Sequence, residues 1–436
     1  MIGLRGRPHL GAGAGATGAA ALEQTLAVPA TRRSPAPAVV GLVLAVAIVV
    51  LFGLGTPWDE VSVFGLNAGL RSAWQLPDLV VPSALGIYLA ALLAGAVGAA
   101  YLRWPRLKGG TTVALSVTAL VVAFLIWAVQ GQSLNLVGML RSTLLRATPI
   151  TLGALSGVLC ERAGVINIAI EGMMLTSALT AVVTASVTGS LMVGMVVAVL
   201  TGALLALVHG VLSIRYRVDQ IVSGTVINIF ATGLTSYLSA RFLERFAYLN
   251  RSGTLPVVAI PGLADIPIIG PALFEQSVIV YVMLVLVIAV HLLLFKSRFG
   301  LRMRAVGEHP RAADTLGIDV WRVRYLSVLL GGMVAGIGGA YFTIGSVGRF
   351  DEVMTGGRGF IGLAAMIFGN WTPGGAFASS LIFGFADSLQ IRMQILQTPI
   401  PSEFLLMAPY VATIVALSGV VGRVTPPAAD GQPYEK

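Results

Sequence analysis

The 436-residue sequence has few charged side chains and a single cysteine. Asp, Glu, Lys and Arg make up 11% of the chain, compared with about 25% in soluble proteins, whereas 56% is hydrophobic. This composition argues against a soluble enzyme, a disordered regulator and a coiled coil, which all need more charge. Cys160 has no second cysteine to pair with, which excludes a disulfide-stabilised scaffold.

The sequence also lacks the motifs of nucleotide-binding and metal-dependent enzymes. No G-x-x-x-x-G-K-[ST] segment occurs, so the chain has no P-loop phosphate site of its own. No H-E-x-x-H segment occurs, and the four histidines (His9, His209, His291 and His309) are far apart in sequence. We therefore expect no catalytic site, no metal and no cofactor bound by this chain.

Long apolar stretches take up most of the remaining sequence. A membrane-spanning helix needs about 17–25 apolar residues. Stretches of that kind are 38–55, 79–101, 112–130, 142–160, 168–186, 190–213, 221–240, 277–295, 325–347, 375–393 and 404–422, with a shorter one at 359–371. The sequence predicts an all-α polytopic membrane protein of about 11–12 membrane helices, in which 359–371 either spans steeply or re-enters.

The basic residues lie in short loops between these stretches and predict the topology. The chain carries a formal net charge of +9, and Arg supplies nearly all of its positive charge. Loops 102–111 and 296–324 are basic and loop 56–78 is acidic, which places both termini on the cytoplasmic side. Arg141 and Arg146 fall on the outer side, and we interpret 134–146 as an amphipathic helix leading into the following span.

The segment Glu161–Met174 combines polar and small residues at the start of an apolar stretch. Asn167 and Glu171 are four residues apart and would share one face if the segment were helical. Gly164 and Gly172 flank them and would permit a broken helix or close packing. Polar groups at such depth predict a gate or packing element on a translocation path, or else a structural polar cluster that fixes helix order.

The basic loop 296–324 contains a segment with helix-start and helix-stop signals. Pro310 suits a first helical turn, Gly317 suits a helix end, and Asp319 can cap the next membrane helix. A short cytoplasmic helix at 308–317 predicts a docking element for a partner protein. The alternative is a solvated loop that serves only to set topology.

The segment Gly356–Gly375 places a half-length apolar stretch between glycine-rich turns. Such interrupted helices line binding cavities in transporters, although a short span with a tight turn fits the same pattern. Polar residues also lie one helical turn apart in two spans, as Asn228 with Thr232 and as Asp387 with Gln390. We interpret His209 and His291 as packing or interface residues.

Three motifs occur in an order that resembles one protein family. They are ERAGVINIAIEGMML, then GEHPRAADTLGI followed by GGMVAGIGGAY, and then GRGFIGLAAMIFGNWTPGGA. They resemble the permease subunits of bacterial ABC importers for simple sugars, nucleosides and branched-chain amino acids. The nucleoside and simple-sugar group that uses a lipoprotein receptor is the most similar.

The resemblance covers about 134–424 and divides the chain into four parts. We expect 1–37 to be a flexible cytoplasmic tail and 38–133 to add about three membrane helices. Residues 134–424 would form a permease core like that of type II ABC importers, and 425–436 a cytoplasmic C-terminal tail.

The resemblance also implies a location and partners. The chain would lie in the bacterial inner membrane, beside a second, related permease and above ABC ATPase subunits that use ATP. An external binding lipoprotein would deliver the solute. In this family the loop at 308–317 is the coupling helix, which implies coupling roles for Glu308, Pro310, Arg311, Ala312, Ala313, Asp314 and Gly317.

Residues of the path and the solute are less narrowly defined. Candidates for the path or its gate are Asn167, Glu171, Asn228, Asn370, Asp387 and Gln390. Nucleosides are the first expectation for the solute, followed by simple sugars and then branched-chain amino acids. The alternatives are an ion-coupled secondary transporter that uses Glu171 or Asp387, and a membrane scaffold without transport activity.

Overall fold

A computed structural model describes residues 34–67, 75–398, 401, 404, 407 and 425–436 of the chain. The predicted tail at 1–37 lies outside the described residues except for its last four positions. The predicted span at 404–422 also lies outside them, apart from residues 404 and 407.

Three helices precede the permease-like part and share a hydrophobic core, to which Met139 and Met393 of the permease-like part also contribute. They are α1 (Ala36–Ile48), which continues as a π-helical turn at Val49–Gly53, α2 (Ser83–Arg103) and α3 (Gly109–Ala128). Ile48, Ile87 and Ala94 are buried between them. A small sheet ties this part to the rest, because β1 (Val61–Gly65) pairs antiparallel with β2 (Leu79–Pro82) and parallel with β3 (Ser133–Asn135).

The remaining described helices form a bundle around one central helix. In chain order they are α4 (Leu136–Glu161), α5 (Ile170–Thr188), α6 (Leu191–Gly210), α7 (Gln220–Leu238), α8 (Ile269–Leu273), α9 (Val278–Lys296), α10 (Arg298–Glu308), α11 (Pro310–Thr315), α12 (Val320–Phe342), α13 (Arg358–Phe368) and α14 (Pro373–Ile395). A short ribbon pairs β4 (Val257–Ala259) with β5 (Glu275–Ser277). Helix α4 is central because it packs against α12, α13 and α14.

Nine described helices are long and apolar enough to cross a membrane, which confirms an all-α polytopic membrane protein. The short predicted stretch at 359–371 forms α13, which has 11 residues. At 1.5 Å per residue it is about 16 Å long, roughly half the thickness of a bilayer's hydrocarbon core. Helix α14 has 23 residues but is more polar.

Small residues bring the helix backbones into contact, as the composition of the spans predicts. A Cβ atom on Gly202 of α6 would lie 2.3 Å from the carbonyl oxygen of Gly332 on α12. A Cβ atom on Gly336 would lie 2.5 Å from the carbonyl oxygen of Ala198. Because apolar burial does not drive association in lipid, such close approach supplies the packing.

The amphipathic helix expected at 134–146 and the span expected at 142–160 form one element. One continuous 26-residue helix, α4, begins at Leu136, where the side chain of Asn135 accepts a hydrogen bond of 2.7 Å from the amide of Gly138. This cap starts the helix six residues before the apolar stretch at 142–160, so the amphipathic turn and the span are one element. Arg146 therefore lies within the helix that forms the centre of the bundle.

Candidate translocation path and basal cluster

The chain leaves helical geometry between α4 and α5, at residues 162–169, and turns at Gly164 with a φ of +79°. Ile166 and Ile168 are half-buried and lie outside any helix, so their backbone polar groups need partners other than those a helix supplies. Gln220 accepts from the Ile166 amide at 2.7 Å, and a ring nitrogen of His209 lies 2.9 Å from the Ile166 carbonyl oxygen. The side chains of Gln220 and His209, together with that of Asn228 described below, thus supply polar partners for the non-helical backbone at this break.

Glu171 lies in the first turn of α5 and holds the beginning of α13. Its Oε1 accepts hydrogen bonds from the Thr355 hydroxyl at 2.6 Å and the Gly357 amide at 2.8 Å. Its Oε2 accepts from the Gly359 amide at 2.6 Å. A carboxylate that binds free amides at a helix start satisfies them and also matches the positive end of the helix dipole.

Gly359 shows how closely α13 approaches α5. A Cβ atom there would lie 2.7 Å from the backbone nitrogen and the Cα of Glu171. Only glycine therefore permits the Glu171 carboxylate to reach the first turn of α13. Both oxygens of Glu171 are engaged, and the side chain is 7% exposed.

Asn228 and Asn167 also lie at this break but do different things. Asn228 on α7 accepts from the Gly172 amide at 2.8 Å and donates to the Ile168 carbonyl at 2.8 Å. Asn167 is fully buried, and its amide nitrogen faces the sulfur atoms of Cys160 and Met173. Since α5 begins at Ile170, Asn167 and Glu171 do not share a helical face as the four-residue spacing would require.

Asp387 is paired inside the bundle with a residue that sequence reasoning did not select. Its carboxylate lies 3.5 Å from the guanidinium of Arg358 at the start of α13, and both side chains are about three quarters buried or more. The Arg358 guanidinium also lies 6.0 Å from the centre of the Phe342 ring. Gln390 is half-buried one turn further along α14.

Asn370 belongs to a second polar region at one end of the bundle. We call residues 161–164, 307–308, 370–371 and 425–432 the basal cluster. Asn370 is exposed, has a φ of +54°, and accepts from the Thr425 amide at 3.2 Å. The predicted path residues therefore divide between the break, the interior of the bundle and this end, and they do not form one site.

The basal cluster also holds the far end of α13. Trp371 follows that helix and donates from its indole nitrogen to Glu161, the last residue of α4, at 2.6 Å. Arg162 donates to the carbonyl oxygens of Trp371 at 2.8 Å and Asn370 at 3.2 Å. No local sequence signal indicates these contacts, because they join residues more than 200 positions apart.

The C-terminal residues 425–436 are docked against this cluster. The amide of Ala429 donates to the Gly307 carbonyl at 2.9 Å, and the Ala428 amide donates to Glu308 at 3.2 Å. Arg324 of α12, only 1% exposed, donates to the Gln432 carbonyl at 2.9 Å. Further ion pairs join Arg217 to Glu435 and Asp314 to Lys436.

Asp430 is the titratable group at the centre of the docked segment. Burial raises its pKa to about 6, opposed by a hydrogen bond with Glu161, a bond from the Gly431 amide and the charge of Arg324. A hydrogen bond between two carboxyl groups requires a proton on one of them. Asp430 thus lies beside a second buried carboxyl group, that of Glu161, and the two repel each other when neither is protonated.

The segment predicted as a docking element has the expected local structure. Helix α11 starts with Pro310 in its first turn, Gly317 has a φ of +78°, and Asp319 accepts from the Arg322 amide at 3.0 Å as a cap of α12. These three sequence signals are confirmed. The helix α10 that precedes α11 was not predicted; it buries Gly300, Met303, Val306 and Gly307 on one face.

An open groove of about 820 Å³ lies beside α11. Its walls come from Asp314, the turn at 317–319, Trp321 and Tyr325, and from Tyr434 of the docked C-terminal segment. The coupling residues expected from the resemblance thus lie on a polar, accessible surface, with Ala313 buried beneath it.

Comparison with known proteins shows which family and which individual permeases this chain is similar to. Residues 139–417 match the family described as "Branched-chain amino acid transport system / permease component". The guanosine ABC transporter permease protein NupQ of Bacillus subtilis is 40% identical over 68% of this chain and 95% of its own length. The nucleoside ABC transporter permease protein NupC of Lactococcus lactis is 40% identical over 67% of this chain and 95% of its own length.

Two more distant relatives are also named as ABC transporter permease proteins. The putative glucose ABC transporter permease protein TsgC13 of Haloferax volcanii is 33% identical over 66% of this chain and 92% of its own length. A second guanosine permease protein of Bacillus subtilis, NupP, is 24% identical over 65% of this chain and 83% of its own length. No solved structure matches the chain.

Proposed function

The chain belongs to the family of permease components of branched-chain amino acid transport systems, and on that basis we propose that it forms the membrane path for a nucleoside in an ATP-driven importer. The observation that carries this proposal is the 40% identity to two nucleoside permeases over 95% of their lengths. In this proposal an external binding protein delivers the solute. ATP is used by separate ATPase subunits, and this chain binds no cofactor.

The basal cluster suggests how movement of an ATPase would reach the bundle. Gly307, at the end of α10, is in direct contact with the break after α4, since a Cβ atom there would lie 2.3 Å from the Arg162 carbonyl oxygen. An ATPase bound to α11 would push on α10 and so on Arg162. Because Arg162 donates to Asn370 and Trp371, the same push would reach the carboxyl end of α13.

Alternating access would follow from the two ends of α13. Its amino end is held by Glu171 inside the bundle, whereas its carboxyl end belongs to the basal cluster. A half-length helix fixed at one end and pushed at the other can tilt, and such elements commonly gate transporter cavities. This assigns Glu171 to positioning α13, while Asp387 and Gln390 remain the candidates nearest to the solute.

A second permease completes the proposed importer. The two guanosine permease proteins of Bacillus subtilis, NupQ and NupP, both resemble this chain, at 40% and 24% identity. We infer that the present chain likewise pairs with a related but different permease. Both termini would face the cytoplasm, as the basic loops predict.

A simple sugar is the second candidate for the solute. It is favoured by the 33% identity to a putative glucose permease protein, and by polar side chains that could bond to hydroxyl groups. The lower identity places it after a nucleoside. Competition between a labelled nucleoside and glucose or ribose would separate the two.

The test is purification of the tagged chain from its native membranes, followed by uptake measurements. We expect an ABC ATPase and a second permease to co-purify, and reconstituted vesicles to take up nucleoside only with ATP and the binding protein. Recovery of the chain alone in several detergents, with uptake driven by a proton or sodium gradient, would contradict the proposal.

A further inference from the structure

Arg146 is the least expected charged residue in the bundle. It is the eleventh residue of α4, and 89% of the residues in the most apolar 18-residue stretch of that helix are buried. Its Nε is buried without a hydrogen-bond acceptor, and among the described residues its guanidinium forms no ion pair. An unpaired charge at such a position is costly, and arginines in membrane helices usually face a partner or a water-filled path.

Arg146 lies seven positions before Gly153 and so on the same face of α4, the face on which a Cβ atom at Gly153 would lie 3.7 Å from the Cα of Gly362 in α13. Arg146 is half-buried, while the next residues of α4, from Ala147 to Ile150, are buried. Helix α14 packs directly on this part of α4, since a Cβ atom on Gly384 would lie 2.6 Å from the Thr143 carbonyl oxygen. Arg146 thus lies on the side of α4 that faces α13, in a packed part of the bundle.

Three other elements contribute polar groups around Arg146. The Tyr341 hydroxyl of α12 donates to the Leu145 carbonyl at 2.7 Å and lies within electrostatic reach of both Arg146 and Arg358. Arg358 of α13 is paired with Asp387 of α14. Of the two arginines, Arg358 thus has a carboxylate partner, whereas Arg146 forms no ion pair among the described residues.

We propose that Arg146 binds the transported solute directly, through two neighbouring acceptor atoms such as O6 and N7 of a 6-oxopurine nucleoside. This inference rests on the proposed function. A guanidinium offers several N–H donors in one plane and no acceptor, which matches an edge that carries two acceptors side by side. Guanosine and inosine present such an edge, whereas adenosine presents an amino donor beside N7.

Arg358 has a different role in this arrangement. Its guanidinium is occupied by Asp387 and also lies near the Thr355 carbonyl, 3.4 Å away. It therefore fixes the start of α13 beside Arg146 and leaves Arg146 as the free donor. Movement of α13 would change the surroundings of Arg146 and release the solute.

The experiment compares inosine and adenosine uptake by the complete importer in vesicles. Arg146→Lys keeps the charge but loses the planar pair of donors, so we expect a tenfold or larger rise in KM for inosine and less than a threefold rise for adenosine. Arg146→Gln should show the same preference with a lower rate. Arg141→Lys on the same helix is the matched control, and it should change neither KM.

A second measurement uses Arg146→Cys in a chain in which the buried Cys160 is replaced by Ala. Inosine should slow the reaction of the new thiol with a small methanethiosulfonate reagent at least threefold, and adenosine should not. Equal losses for both nucleosides, unchanged uptake in Arg146→Gln, or failure of every Arg146 variant to assemble would each overturn the inference. Absence of ATP-driven nucleoside uptake by the unmodified importer would instead overturn the proposed function.

Discussion

Two glutamates on either side of one break hold the two ends of the same short helix. Glu161 ends α4 and Glu171 lies in the first turn of α5, and they are similarly buried, at 5% and 7% exposure. Glu171 receives three hydrogen bonds from the segment that starts α13. Glu161 receives one from Trp371 beyond the other end and lies beside the carboxyl group of Asp430.

The two glutamates differ in whether their contacts depend on the docked C-terminal segment. Glu171 meets donors alone, and none of these contacts involves the C-terminal segment. Glu161 meets a donor and another carboxyl group, so its contacts depend on whether residues 425–436 are docked. The bundle therefore fixes the amino end of α13, whereas the position of its carboxyl end depends on the basal cluster.

The largest expected effect comes from Glu171→Gln. The amide would present an NH₂ group to amides that can only donate, so at least one buried N–H loses its acceptor. We expect a loss of about 3 kcal/mol or more in stability and a tenfold or larger fall in uptake. Thermal unfolding in detergent and vesicle uptake measure both. Glu352→Ala, at an exposed position in the preceding loop, is the control and should change neither.

A normal Glu171→Gln protein would show that the start of α13 needs no carboxylate, and the contrast between the two glutamates would be lost. Loss of uptake at unchanged stability would instead assign Glu171 to the path itself, as the sequence alone suggested.

The next largest effect is expected for Gly307→Ala, which tests the contact between α10 and the break after α4. The added methyl group would collide with the Arg162 carbonyl oxygen, so α10 and the break must separate. We expect the variant chain to insert into the membrane and to keep its partner subunits. Uptake should fall about tenfold, because movement of α11 is no longer transmitted to Arg162. Gly374→Ala, where a Cβ atom meets nothing within 4 Å, is the matched control.

Deletion of 308–317 should abolish uptake with insertion intact. Transport by a well-expressed deletion variant would contradict coupling through this segment. An ATPase that still binds Gly307→Ala but hydrolyses ATP without uptake would support it, since the two activities would then be separated at the contact with Arg162.

Local signals in the sequence predicted much of this architecture. The apolar stretches predicted the spans, and Pro310, Gly317 and Asp319 predicted a helix start, a helix end and a cap, because each acts within four residues of its own position. Gly164 and Gly359 lie in the segments that the sequence selected as a break and as a half-length helix.

The pairing of those segments could not be predicted. Glu171 meets Gly357 and Gly359 across more than 180 positions, and no periodicity connects them. The same holds for Glu161 with Trp371 and for Arg324 with Gln432. The continuity of α4 from Leu136 was also not predicted, because the cap at Asn135 starts the helix six residues before the apolar stretch.

A smaller effect concerns the pH dependence of the docked segment. Since burial raises the pKa of Asp430 to about 6 from 3.8, docking is most favourable below the lower value and weakens as pH rises through about 6. The groups that face Asp430 are Glu161 on α4 and Arg324 on α12. We expect the docked fraction to fall roughly several-fold between pH 5 and pH 7.

Anisotropy of a dye on Pro433→Cys would follow this release, since Cys160 is buried. Asp430→Asn in the same background should remove the dependence on pH. An anisotropy that is constant from pH 5 to pH 7 in the protein with Asp430 would show that the carboxyl pair does not control docking.

The smallest expected effect is that of Glu161→Gln, although the chemical change is identical to that at Glu171. Here the amide oxygen can still accept from Trp371, and the amide NH₂ can donate to an ionised Asp430. We expect a change in stability below about 1 kcal/mol, less than a threefold change in uptake, and docking that no longer weakens as pH rises. A loss as large as that of Glu171→Gln would mean that both ends of α13 are held permanently, and that tilting of this helix cannot open the path.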